Sequence, residues 1–138
     1  MASERNMLTI SPEELLLILR KKYLVEIPDS IETPEQMQAA GNLLGVCTSN
    51  YIYLENMRLA ANLAKRRMKR EGKPKDEVED ALCREEIFKT YSEISENTYK
   101  TLSRMITTRQ QALLELRMTD GIPAYGNSQN GQQRPPRS

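Results

Sequence analysis

Two long proline-free stretches dominate this chain, and both carry the same spacing. No proline interrupts the sequence between Pro34 and Pro74, or between Pro74 and Pro123. In the first stretch Ala40, Leu43, Cys47, Asn50, Leu54, Met57, Ala61, Ala64 and Met68 follow alternating steps of three and four. In the second, Phe88, Tyr91, Ser95, Thr98, Leu102, Met105, Arg109, Ala112 and Leu116 do the same. An average step of about 3.5 returns side chains to one helix face every two turns and marks a coiled-coil seam. The fold class expected is all-α: a short N-terminal helix, then a long antiparallel helical hairpin, open to a dimeric four-helix arrangement.

Start and stop signals set the boundaries. Ser11 stands where an N-cap is needed, with Pro12 at the first helical position and Glu13 and Glu14 at the positive end of the dipole. Arg20, Lys21 and Lys22 follow a leucine-rich run, where the negative end favours cations. The predicted helix covers 11–25, and Pro28 ends it. Thr33, Pro34 and Gln36 form a capping box that opens a helix over 34–71, closed by Gly72 and Pro74. At 1.5 Å per residue that helix is about 57 Å long. A third helix over 76–118 starts among Asp76, Glu77, Glu79 and Asp80 and stops before Gly121 and Pro123. Residues 1–119 thus make one helical domain. Residues 120–138, rich in Gly, Pro, Asn and Gln, read as a disordered tail.

The short connection near residues 72–76 brings the long helices back antiparallel. In that register, facing residue numbers sum to about 148–150, a value set by the turn position. Met57 then faces Tyr91, and Cys47 faces Leu102. Asn50 falls opposite Thr98, and an amide–hydroxyl contact there is expected to fix the register. An unpartnered buried Asn would cost on the order of 1–3 kcal/mol.

Only 38% of the residues are hydrophobic and 5% aromatic, a composition suited to a narrow seam rather than a deep core. Helices this long require an elongated molecule or a second copy. The uncharged run over 36–54 adds Leu44, Val46, Tyr51, Ile52 and Tyr53 to its seam residues, so apolar surface wraps much of the helix. Gly41 and Gly45 form a GxxxG spacing that permits close helix approach. The hairpin base, 36–54 with 98–118, is the expected partner surface. Gly41, Leu44, Gly45, Tyr51, Ile52 and Tyr53 form its centre, with a homodimer favoured. The same run holds two Gln, two Asn and two Gly, too polar for a membrane span. With no secretory signal and a net charge of +1, the expectation is a soluble cytoplasmic chain. Its two cysteines, Cys47 and Cys83, fall about 28 Å apart along the hairpin, too far for a disulfide.

No residue pattern points to a reaction. The chain has no His, which excludes His-based acid–base work and the commonest metal ligand. It has no Gly-rich phosphate loop, no G-x-S-x-G and no C-x-x-C. A non-enzyme without cofactor or metal is expected. The carboxylates of "REE" and "DEVED" read as a solvated helix face. The most conspicuous polar feature is "KRRMKREGKPK", in which Lys65, Arg66, Arg67, Lys69, Arg70, Lys73 and Lys75 precede "DEVED". One reading pairs these cations with the acidic helix start across the tip and with the helix dipole. The other uses them to bind DNA, RNA or an acidic protein, although no aromatic platform for bases lies nearer than Phe88.

The plan of a short helix, a long helix ending near "EGKP" and a return helix ending in "ALLELRM" resembles small helical-hairpin proteins of tailed phages and prophages of Gram-positive bacteria. The likeness lies in layout over residues 34–120. It implies a partner in the bacterial host, either a protein or a protein–nucleic-acid complex. The expected activities are inhibition of a defence nuclease, or accessory nucleic-acid binding in phage recombination or replication. It carries over no catalytic residue.

Overall fold

The computed structural model describes residues 6–119 and contains three helices: α1 (Pro12–Tyr23), α2 (Pro34–Arg70) and α3 (Lys75–Thr119). No strand occurs among the described residues, and the tail expected over 120–138 lies outside them. The caps form as the sequence suggests. Ser11 Oγ accepts the Glu14 N–H at 3.1 Å. Thr33 Oγ1 accepts the Gln36 N–H, while Gln36 Oε1 accepts the N–H groups of Thr33 and Glu32. At the other end of α2, the Gly72 N–H donates to Lys69 O and the Lys73 N–H to Met68 O. These bonds define a Schellman motif, which needs a left-handed residue at its corner, and Gly72 has φ 70°.

α2 and α3 pack along one another as a hairpin. The α2 seam is the expected one: Ala40, Cys47, Leu54 and Ala61 are buried, and Leu43, Asn50, Met57, Ala64 and Met68 are half-buried. On α3, Phe88, Tyr91, Ser95 and Leu102 are buried, but Ala112 and Leu116 are exposed. Polar contacts give the register directly. Residue numbers sum to 147 for Asn62–Glu85 and Glu55–Ser92, and to 150 for Lys65–Glu85. The bond expected to fix this register does not form. The Thr98 hydroxyl donates to Ile94 O at 2.8 Å on its own helix, and Asn50 makes no hydrogen bond to it. A Thr hydroxyl in a helix can donate to the carbonyl four residues back, and that local bond takes the Thr98 proton that an Asn50 side-chain oxygen would need.

α1 docks chiefly on α3, beside the middle of the hairpin. Leu15, Leu19 and Tyr23 join Leu54, Ala61, Phe88 and Tyr91 in one apolar cluster. The helix ends at Tyr23, two residues before the predicted boundary, because the chain has distance to cover. Tyr23 stacks on Tyr53, with ring centroids 5.6 Å apart. From the level of Tyr53 back to Pro34, α2 extends about 28 Å. The ten residues 24–33 span that distance only if extended, at about 3.3 Å each; as helix they would cover about 15 Å. Leu24 accordingly has φ −88° and ψ 131°. The extended segment buries Ile31 against Ala40 and Leu102 in a second cluster at the base, with Ile27, Met37 and Met105 around it.

Candidate functional site

The tip does not neutralise itself. Lys65 Nζ binds Glu85, and Asn62 Nδ2 donates to the same carboxylate at 2.7 Å. That clasp joins α2 to α3 below the turn, and Lys65 and Glu85 side chains are each only 15% exposed. Burial pushes the Glu85 carboxyl up, but the hydrogen bonds from Lys65 and Asn62 more than offset it and leave it below the usual carboxylate range. Lys65 is therefore part of the hairpin's own fastening. Arg66, Arg67, Lys69, Arg70, Lys73 and Lys75 are exposed, and none has an ion pair among the described residues. Asp76, Glu77, Glu79 and Asp80 are likewise exposed without an ionic partner. The two charge sets stand side by side on consecutive helices.

A second polar group ties the hairpin together at mid-length. Glu55 accepts from Arg58 on its own helix at 2.9 Å and from the Ser92 hydroxyl of α3. Those hydrogen bonds hold the Glu55 carboxyl below its ordinary range against the opposing effect of burial. Ser95, one turn on, is buried with its Oγ unpartnered. Arg84 is buried as well, not part of a solvated acidic face, and its Nη1 donates to Ile10 O at 2.9 Å. It fastens the segment before α1 to α3, a role its place in "CREE" does not reveal.

The six residues expected at the centre of the base surface do not share one face. Leu44 packs onto the base cluster with Ile31 and Leu102. Tyr53 lies against Tyr23 of α1, where burial and the neighbouring phenol raise the Tyr23 hydroxyl pKa. Tyr51 is half-buried. Gly41, Gly45 and Ile52 are open, and a Cβ added at either glycine would meet nothing within 4 Å. Further along α2, Leu59 and Leu63 are 52% and 60% exposed. On α3 the base ends in exposed Leu113, Leu114, Leu116 and Met118.

Cys47 is buried in the seam and Cys83 is exposed, both as free thiols. Burial raises the Cys47 thiol pKa. A groove of about 490 Å³ lies open between residues 26–29 and Gln36, Ala39, Ala40 and Leu43 of α2. Among the described residues no cluster of three His, Cys, Asp or Glu side chains is placed to hold a metal ion, and no helix is long and apolar enough to cross a membrane. No family model matches the chain, and neither a curated protein nor a solved structure matches it.

Proposed function

We propose that this chain is a non-enzymatic interaction protein whose hairpin tip docks on a protein partner through paired surfaces of opposite charge. The observation that supports this is the unneutralised tip: six exposed cations from α2, the turn and the first residue of α3 beside four exposed carboxylates from α3. Such charges give little by pairing with each other in water, about 0.2–1 kcal/mol per exposed pair. They give more to a partner that desolvates them in matched positions, where they set orientation and association rate.

A nucleic acid is the weaker ligand. Residues 65–80 hold seven cations against five carboxylates, so a polyanion would meet repulsion as well as attraction. Phe88 is fully buried and offers no stacking surface for bases. The finer version, an anti-defence inhibitor of phage or prophage type acting on a host nuclease, rests on the layout of the helices.

Two charge variants separate these readings. Arg66, Arg67, Lys69 and Arg70 are changed to Ala in one; Asp76, Glu77, Glu79 and Asp80 are changed to the amides in the other. A protein partner captured from bacterial lysate by the wild type should be lost with both. Binding to single- or double-stranded oligonucleotides should fall with the first and rise with the second, with strong salt dependence. Partner capture unaffected by either variant refutes the tip as the contact surface.

A further inference from the structure

α2 carries a second stripe on the face turned away from α3. Gly41, Gly45, Thr48, Ile52, Asn56, Leu59 and Leu63 recur in steps of three and four, and all seven are exposed. At 100° per residue they fall within about 40° of Ile52 around the helix axis. Nothing in the single chain accounts for the glycines. Each is less favourable than Ala in a helix interior, and each has open space where a Cβ would stand.

The stripe is symmetric about Ile52. Thr48 and Asn56 lie four residues to either side, Gly45 and Leu59 seven, Gly41 and Leu63 eleven. In the two outer pairs the residue on the N-terminal side is a glycine and its counterpart a leucine, while Thr48 and Asn56 are of similar size and both polar. Two copies of α2 laid antiparallel, with a two-fold axis through Ile52, would set each glycine opposite a leucine and Thr48 opposite Asn56. Leu63 of one copy enters the space above Gly41 of the other, and Leu59 the space above Gly45. Two such pairs form at each end, and Ile52 meets its own counterpart at the centre. An isologous contact requires this self-complementarity, and a partner of unrelated sequence gives no reason for it. Charge agrees with shape. Arg67 falls on the side of the interface that Glu35 of the second copy occupies, and neither has an ion pair among the described residues.

We infer that this face of α2 binds a second copy of the same chain, antiparallel, with its dyad at Ile52. The contact shares only Arg67 with the tip, and its glycine–leucine pairs lie outside the tip charges. It places the two tips at opposite ends of a bar, each 20 residues from the dyad and about 60 Å apart at helical rise. A single helix pair of this length belongs among the smaller interfaces, so the dimer is reversible and concentration-dependent.

Sedimentation equilibrium of the full chain over a concentration series should show a monomer–dimer equilibrium. Gly45→Leu should abolish the dimer, and adding Leu59→Ala to that variant should restore it, because the dyad sets residue 45 of one copy against residue 59 of the other. Gly41→Ala and Gly45→Ala should each raise the melting temperature at low concentration, where the chain is monomeric, and weaken dimerisation several-fold. Ile52→Cys in a Cys83→Ser background should crosslink to itself under oxidation, whereas Leu63→Cys in the same background should not. Circular dichroism of each variant confirms that it is folded. A wild type that stays monomeric at the highest concentrations reached, a dimer indifferent to Gly45→Leu, or self-crosslinking at Leu63→Cys in place of Ile52→Cys would each overturn the inference.

Discussion

Ser92 and Ser95 allow the packing of the hairpin to be tested with one kind of substitution made twice. Both are buried on α3, three residues apart, facing α2. The Ser92 hydroxyl donates to the Glu55 carboxylate, whereas the Ser95 hydroxyl has no partner. Removing the Ser92 hydroxyl gives up a hydrogen bond to a charged group, about 1.5–3 kcal/mol, and leaves Glu55 with less support. Ala returns about 0.5 kcal/mol in helix propensity, so Ser92→Ala should destabilise by about 1–2.5 kcal/mol. At Ser95 the same propensity gain adds to relief of a desolvated, unmade hydrogen bond. Ser95→Ala should therefore stabilise by about 1–2 kcal/mol. Urea unfolding at one low protein concentration, with midpoints compared at constant slope, measures both. The two variants should move the midpoint in opposite directions. If both shift it the same way, the assignment of one satisfied and one orphaned hydroxyl is wrong, and the registry between Glu55 and Ser92 with it.

Acid should loosen the hairpin through the two cross-helix carboxylates. Glu55 and Glu85 are both held below the usual carboxylate range in the folded chain. The unfolded chain therefore takes up protons first as pH falls. The stability they contribute is whole above about pH 4.3 and drains away as pH drops through the folded values. Urea midpoints measured downward from neutral pH should fall, and less steeply in Glu55→Gln and Glu85→Gln. The thiols should differ in reactivity: dithionitrobenzoate should titrate Cys83 rapidly in the native chain and Cys47 only on unfolding, given its burial and raised pKa. Two fast thiols under native conditions would show that the seam around Cys47 is open.

Much of the hairpin was legible because three independent local signals agreed. Thr33 and Gln36 cap where the seam spacing begins, and Gly72 turns where it pauses. That agreement also placed the turn, and hence the register, within a residue or so of the observed cross-helix pairs. The signals misled where they had no means of reporting length or competition. On α3 the spacing runs through Ala112 and Leu116, yet both are exposed. The register sets Leu116 against residues 31–34, at or past the end of α2, and Ala112 only against the first turn of α2, so the stripe runs out of partner helix there. At the other margin, the apolar Leu24 and Val25 suggested more helix than forms, since periodicity carries no measure of how far the chain must travel. Asn50 and Thr98 failed for another reason: a composition-level match of donor and acceptor ignores the carbonyl already present four residues back.

The tip shows the same limit in electrostatic form and makes the charges there informative. A sequence with seven cations followed by four carboxylates invites a picture of mutual neutralisation, and at the level of net charge that picture holds. Pairing in water, however, must offset the entropy of fixing two long side chains, and an exposed pair returns too little to do so. Packing changes the balance only where it has already immobilised one partner. Lys65 meets that condition, lying against the seam and reaching Glu85 with Asn62 alongside. Lys69, Arg70, Lys73 and Lys75 lie beyond the last α2 seam residue, Met68, and Arg66 and Arg67 flank it at exposed positions, so no neighbouring element restrains them. Their lack of partners thus follows from the geometry of a hairpin end. The same geometry makes both signs of charge available to a docking surface, and the two sets adjoin in sequence at Lys75 and Asp76. A partner that matches only one sign would face repulsion from the other, so specificity at this tip is built into the order of the residues around the turn.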